Sequence, residues 1–531
     1  MSTLIPAFKA WVPEWLIRLT LLLVVLPGLI LFVLSISNVN AAAGFYGVSP
    51  NDIQYTCIIF YSGMASFVVL EGRFLKYIAS KEYFFICVFL LMGTCYLCYM
   101  SRSFTFLLIL RYIQGLLTCG TLSITLTLMF SRLHSERARE IGYSVVYCIL
   151  LSVIPLSTAA TASIIDAFSF NVLYKAAIYS YLPGAVLMFI VMNNIRFTRK
   201  LPLYQLDWPS FLIYTTGFCL VGYVAVYGQQ YDWFDDRRIL MAVLIIGKLI
   251  MIFVIRQRNM KRPYIYLQVF KNRNFIVAAL LLYVLYLARG AFGITTSFMG
   301  TVLGLDPIHI GYLMIYNIAG IITAVVISSR LILMKKPMRL ILIYGFTILL
   351  VFHVSMCFIF TTQVDSSDLI IPVVLQGLGA GMLMTPIILF LVSSSPAKYG
   401  NTGSAVGIFV RFSGFCSSIA LTNYFQLYRQ NDHLNRFQEQ LNILNPAVEQ
   451  KLTTLKQSMV GKGGAPDQAA KIANALFNKS INTQAQLRFA LDYYQMISWM
   501  ILSVLLLVIL FPSINRTIIN LRSKQPAPIV Y

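Results

Sequence analysis

"ILMAVLIIGKLIMIFVIRQRNMKR", residues Ile239 to Arg262, decides the fold. Its first 17 residues are apolar apart from Gly247 and Lys248, and its last seven carry four Lys or Arg. A helix of about 20 apolar residues crosses the ~30 Å hydrocarbon core of a bilayer. Basic residues stay preferentially on the cytoplasmic side of such helices. The stretch therefore reads as a membrane span that ends in the cytoplasm, with its basic tail against anionic lipid head groups. Lys248, near Arg256, is expected to snorkel toward the same head groups.

Working outward, the same pattern recurs until the chain holds fourteen spans, near 18–38, 52–70, 83–100, 104–129, 140–163, 172–193, 208–228, 239–255, 274–297, 309–329, 340–360, 369–393, 403–425 and 489–511. The two termini and the gaps after even-numbered spans hold 25 of the 41 Lys and Arg. The short gaps on the other face hold four, Arg102, Lys175, Arg237 and Arg238. This asymmetry predicts a multi-pass inner (plasma) membrane protein with both termini cytoplasmic. Backbone exposed to lipid must satisfy its hydrogen bonds internally, so the expected class is all-α.

A chain with 58% hydrophobic and 11% charged residues is not a soluble globule. A net charge of +22 would suggest nucleic acid in a soluble protein; here the positive-inside bias accounts for most of it, and no nucleic-acid binding is expected. All nine Cys fall in spans, and Cys95 and Cys98 ("CYLC") read as small apolar residues rather than a redox or metal pair. The four His show no metal-ligand spacing, so neither metal nor cofactor is expected. "NVNAAAG" (Asn38 to Gly44) resembles a signal-peptidase site, but the apolar core before it, about 19 residues, exceeds the usual ~7–15, so span one is expected to be retained.

One internal echo is visible. Span four carries "RYIQGLLTCG" (Arg111 to Gly120) and span twelve "VVLQGLGAGM" (Val373 to Met382). Repeated halves are expected in secondary transporters. If the two spans are equivalent, eight spans separate them instead of six, and spans seven and eight are the additions. The expected organisation is a six-helix bundle over 1–200, two added helices over 201–263, and a second six-helix bundle over 264–531. The second bundle includes a long helical extracytoplasmic loop, 426–488, between spans 13 and 14. In it Leu427, Leu434, Phe437, Leu441 and Leu444, then Val448, Leu452, Leu455 and Met459, repeat at helical spacing. "GKGGAP" (Gly461 to Pro466) then hinges the chain before a second helical arm from Ala469. The apolar stripe serves either self-packing or the docking of another protein.

These features resemble a known family. "LLILRYIQG" matches the major facilitator pattern L-x-x-x-R-x-x-Q-G at Leu107, Arg111, Gln114 and Gly115. "LDWPSF" (Leu206 to Phe211), "DWFDD" (Asp232 to Asp236), "QGLGAGMLMTP" (Gln376 to Pro386) and "GNTGSAVGIFVRFSG" (Gly400 to Gly414) resemble the fourteen-span drug:proton antiporters of EmrB/QacA type. The long loop ending in "AQLRFALDYYQ" (Ala485 to Gln495) looks like the EmrB branch. Departures exist: Lys76 stands where the family's cytoplasmic motif has Asp, and Ala79 where it has Gly. "LSVIPLSTAA" keeps Pro155 of the antiporter motif but not its glycines. The resemblance implies a major facilitator fold, a proton-coupled exporter of amphiphilic drug-like compounds, and an adaptor (membrane-fusion protein) and outer-membrane channel as partners.

Charges inside a bilayer are functional candidates by default. Arg111, Gln114, Gly115, Pro155 and Arg411 are coupling or gating candidates by the resemblance, with Glu71 as an acidic candidate near a span end. Arg289, in "LYLARGAFG", matches no family motif; it either meets an anionic substrate or pairs with a carbonyl or carboxylate of another helix. Asn38, Asn40, Thr118 and Thr121 are candidates for a polar path, and Tyr214, Tyr223 and Tyr283 for ligand stacking. The expected function is secondary active export. A facilitator or importer of the same fold without proton coupling is the alternative, since no carboxylate sits near a span's middle. No Ser/His or His/Asp/Glu constellation speaks for an enzyme.

Overall fold

Hydropathy sets the architecture: among the described residues fourteen helices are long and apolar enough to cross a membrane, and each falls on one of the expected spans. They run Glu14–Val33, Pro50–Glu71, Ser80–Met100, Phe104–Phe130, Glu140–Ala167, Val172–Val191, Trp208–Tyr227, Arg237–Asn259, Arg273–Thr301, Pro307–Leu333, Met338–Ile359, Ile370–Ser394, Thr402–Gln440 and Pro466–Leu510. The computed structural model describes residues 7–131, 138–195, 207–260, 263–395, 400–441, 445–463 and 465–510, less the side chains of 72–77, 131, 138, 139, 400 and 401. The expected cytoplasmic ends of the chain (1–6 and 511–531), the Lys76 side chain and Leu444 lie outside this set. Among the described residues no strand forms.

Two spans are discontinuous. Span one stops at Val33, tightens through a turn at Ile36–Asn38 and resumes over Val39–Tyr46. Span nine breaks between Arg273–Gly290 and Phe292–Thr301. Broken helices leave carbonyls without intrahelical donors, and both breaks recruit side chains from neighbouring spans.

The Gln-Gly-Leu echo is a packing motif. A Cβ on Gly115 would stand 2.1 Å from the Phe60 carbonyl oxygen, and one on Gly63 2.7 Å from that of Tyr112. In spans ten and twelve, a Cβ on Gly377 would stand 2.4 Å from the Asn317 carbonyl oxygen, and one on Gly320 2.6 Å from that of Val374. The offsets match residue for residue, so span four crosses span two as span twelve crosses span ten. Lipid tails are as apolar as Leu, so helices in membranes associate through such close small-residue contacts.

Span twelve is the innermost helix, with 83% of its apolar stretch buried; span eight is the outermost, with 11%. Lys248 is exposed on span eight, as snorkelling requires. Span eight is anchored at its basic end, where Arg256 pairs with Asp207 at 2.8 Å and donates to Ser210 at 3.0 Å. Burial works against ionisation of the Asp207 carboxyl, but hydrogen bonds from Ser210 and Arg256 outweigh it and hold the group below its ordinary range.

The segment 426–488 is a correction to the sequence reading. It is largely a continuation of two spans. Span thirteen passes through one widened turn, Phe425–Arg429, and runs on to Gln440; span fourteen starts at Pro466. The expected first arm is also interrupted. Pro446 fits the opening turn of a new helix, Pro446–Gly461, whose first turn Asn445 caps through the Ala447 N–H. Its stripe packs on the long fourteenth helix: Val448 is buried, as are Ala469, Ala473 and Ile481. Asp492 ties Arg429 (2.8 Å) and His433 (2.9 Å) to the same helix.

Candidate functional site: a cavity between the spans

A cavity of 770 Å³ lies among spans one, two, four, five, nine, ten, thirteen and fourteen. Its lining extends from Gln54, Gln426, Gln430 and Gln486, at the end that bears the arms, past mid-span to Val68, Leu126, Met129 and Val146. Tyr147 and Leu151 belong to its wall and pack in one apolar cluster with Leu70, Tyr143, Phe275, Leu282 and Leu285 toward the opposite end. Its lining is mainly apolar, with Asn38, Asn317, Gln376, Arg289 and Arg411 as polar points.

Arg289 and Arg411 are the charged residues of that lining, and no Asp or Glu is among the lining residues. Arg289 stands just before the break in span nine, so its side chain can leave the helix face. Its Nη2 donates to the Leu151 carbonyl at a long 3.5 Å, and its buried Nε has no partner. The carbonyl has a specific origin. Pro155 has no N–H, so the carbonyl four residues earlier, Leu151, receives no helical bond. Pro155, an expected gating residue, thereby supplies an acceptor that a cation from span nine can reach. Arg411 lies 5.6 Å over the Tyr147 ring, bonds its own Gly407 carbonyl at 3.3 Å and hydrogen-bonds Tyr286. Arg289 lies 5.8 Å from the same Tyr286 ring. Tyr286 therefore joins the two guanidinium groups into one positive wall.

Asn38 lines the cavity and exchanges hydrogen bonds with Thr161 of span five, at 3.0 and 3.2 Å. Asn40 lines it too. Thr118 and Thr121 do not; they are buried inside the helix packing, where Thr121 bonds the Thr118 carbonyl at 3.0 Å and Thr118 faces Gly28. Tyr214, Tyr223 and Tyr283 also lie outside the lining: Tyr214 stacks on Phe253, Tyr223 meets Tyr55 edge-on, and Tyr283 donates to Ser417 at 2.9 Å.

Arg111, Gln114 and Gly115 form a separate centre. Arg111 is fully buried and donates to the carbonyls of Leu31 (2.8 Å) and Phe32 (2.8 Å), the last turn of the first piece of span one. A cation at a helix C-terminus satisfies orphan carbonyls and complements the helix dipole. Gln114 accepts from Arg111 at 3.2 Å and offers its amide to Cys98 at 3.5 Å, so the CYLC pair serves as buried packing and a weak acceptor. Glu71 is not at a wet span end: it is fully buried and accepts from Ser123 at 2.5 Å. Gly403 and Gly407 press on Ser395 and Leu391 of span twelve.

The sequence reading missed His353. It is fully buried in span eleven, with Nδ1 2.7 Å from the Leu349 carbonyl and Nε2 3.2 Å from the Ala288 carbonyl at the break in span nine. An ionisable residue in mid-span was the available signal; metal-ligand spacing among the His residues passes over a single buried one.

Residues 20–420 match the family model described as Major Facilitator Superfamily. The chain belongs to the major facilitator superfamily. It is 21% identical to the probable multidrug resistance protein EmrY of Escherichia coli over 420 residues, which covers 78% of this chain and 80% of that protein. It is 20% identical to the multidrug export protein EmrB of Haemophilus influenzae, covering 76% and 79%. Among solved structures, a peptide transporter POT superposes with a TM-score of 0.60 at 14% identity, over 96% of this chain and 97% of that one. This major facilitator protein is thus a multi-pass, all-helical membrane transporter with fourteen candidate spans among the described residues.

Proposed function

We propose that this protein exports amphiphilic organic anions across the inner membrane by alternating access, in exchange for protons. One observation carries the substrate class: an apolar cavity of 770 Å³ whose charged lining residues are Arg289 and Arg411. A guanidinium recognises carboxylate, sulfonate or phosphate with charge-assisted hydrogen bonds, while the apolar walls take a hydrophobic body. Export is supported by the relatives, named multidrug resistance and multidrug export proteins. The basic asymmetry of the loops supports arms outside and termini in the cytoplasm. We take 1–200 and 264–531 as the two bundles and 201–263 as the added pair, in keeping with the matched Gly115 and Gly377 crossings.

Proton exchange is supported by the resemblance and by the buried Glu71 carboxyl. A facilitator without proton coupling stays the second reading, because no carboxylate lines the cavity. A periplasmic adaptor is supported by the resemblance; Val448 of the apolar stripe is buried, while Leu427 is exposed and Leu434, Phe437 and Leu441 are half-buried, which leaves apolar surface on the arms for it.

Arg289→Gln keeps polarity and removes the charge. In proteoliposomes, transport of a fixed anion such as an aryl sulfonate should fall about tenfold or more, because one charge-assisted hydrogen bond contributes ~1.5–3 kcal/mol. A size-matched quaternary ammonium should be spared. Equal loss for both probes would refute anion recognition by Arg289.

A further inference from the structure

His353 faces two acceptors at once. Nδ1 lies 2.7 Å from the Leu349 carbonyl of its own helix, and Nε2 lies 3.2 Å from the Ala288 carbonyl of span nine. A carbonyl oxygen only accepts. A neutral imidazole has one N–H, so it can serve one of these oxygens and must turn a lone pair on the other. The imidazolium donates to both. The two protonation states therefore differ by one hydrogen bond; with the neutral ring's proton on Nδ1, toward the nearer Leu349 carbonyl, the bond lost is the one from span eleven to the Ala288 carbonyl, one residue before Arg289.

The same segment is held from another side. Tyr494 of the long helix donates to the Ala291 carbonyl at 2.9 Å, pairs with Thr295, and lies 5.2 Å from the His353 ring. Span nine is thus broken where His353 and Tyr494 hold its main chain, next to the cavity's unmatched cation. The groups facing His353 leave the imidazole as the titrating element. Span twelve has no charged residue over Ile370–Ser394, and none lies in Phe292–Thr301. On its own helix, Cys357 donates to the His353 carbonyl at 3.4 Å and Arg339 is engaged at Val508. On the long helix, Asp492 is taken by Arg429 and His433. Arg289 is the neighbouring charge.

We propose that His353 carries the transported proton and positions Arg289: as an imidazolium it clamps the break in span nine, with Arg289 turned to the Leu151 carbonyl, and on losing the proton it frees Arg289 to take the anion. The inference rests on the export reading above. The ring is buried behind the cavity wall, in contact with the residue before the lining Arg289, so the proton is taken from water and returned to it as the break in span nine opens; only the N–H bond forms and breaks. Proton and anion compete, as exchange requires. The arrangement described, with both nitrogens engaged and Arg289 on a carbonyl, is the state that has released its substrate.

The test is the pH dependence of anion binding by the full chain in nanodiscs, with dansylate, a sulfonate of fixed charge, as probe. Affinity should weaken about tenfold from pH 8 to pH 6, within the usual range of coupling between two sites. It should be flat in His353→Gln, which keeps one donor, while dansylate export persists but loses its response to an imposed pH gradient. A wild-type pH slope in His353→Gln would overturn the proposal. A second measurement stands if that variant does not fold. In H134N/H309N/H433N protein, His353 is the remaining histidine and its ¹⁵N resonances report its charge. They should pass from imidazolium to neutral as the pH is raised, and dansylate should move the transition to lower pH. A ring neutral throughout overturns the proposal. Failure of wild-type protein to bind dansylate would count against the anion reading, and the resonances would still judge His353.

Discussion

Removing the Arg111 guanidinium would strand the Leu31 and Phe32 carbonyls inside the membrane, where no water replaces the donor. Each unsatisfied buried group costs ~1–3 kcal/mol, so Arg111→Ala should lower stability by roughly 3 kcal/mol, read as a reduced unfolding midpoint in detergent. Arg111→Lys keeps the charge but not the fork that spans two carbonyls, and it should recover only part of the loss. Turnover should fall with both, because the break in span one carries Asn38 to the cavity. Wild-type stability and transport in Arg111→Ala would remove this role. The buried cations were legible in the sequence as letters, but their partners were not. Arg111, Arg289 and Arg411 all reach main-chain carbonyls, which no residue type advertises. One such partner was derivable: Pro155 orphans the Leu151 oxygen by the i−4 rule.

Gly115 and Gly377 test the helix crossings at the scale of whole elements. A methyl at either would sit within 2.4 Å of a backbone oxygen, which cannot rotate away, so the helices must separate. Gly115→Ala and Gly377→Ala should each destabilise by ~1–3 kcal/mol and impair transport to a similar degree. Gly93→Ala, where nothing lies within 4 Å, should be neutral or slightly stabilising because Ala is the better helix former. Unequal penalties at Gly115 and Gly377 would contradict the equivalence of the two crossings. The spans themselves were readable because hydropathy and basic flanks are strong signals over about 20 residues. The breaks in spans one and nine were not. Neither falls at a proline, and a break is stabilised by partners far along the chain: Arg111 for the first, His353 and Tyr494 for the second.

At the scale of the whole molecule the cavity, the break in span nine and the arms share one end. Gln426, Gln430 and Gln486 line that end of the cavity and belong to the same helices that carry the arms outward. An apolar stripe along 427–459 was legible in the sequence but its partner was not, because a stripe looks the same whether its own chain or another protein covers it. In the fold, Val448 packs inward, and the long helix turns Ala469, Ala473 and Ile481 out of solvent. Replacing 445–463 by a short Gly/Ser linker separates the two roles. Self-packing predicts an uncovered long helix: burial of Val448 alone is worth ~2 kcal/mol, so the unfolding midpoint should fall by several degrees and the first turns from Pro466 should lose amide-exchange protection. Docking alone predicts a different result. The shortened protein would keep its full stability and its transport in vesicles, and only release to the medium by cells with two membranes would fail. Unchanged stability together with unchanged exchange at Ala469 and Ala473 would therefore rule out the arm as a brace for the outer half of span fourteen.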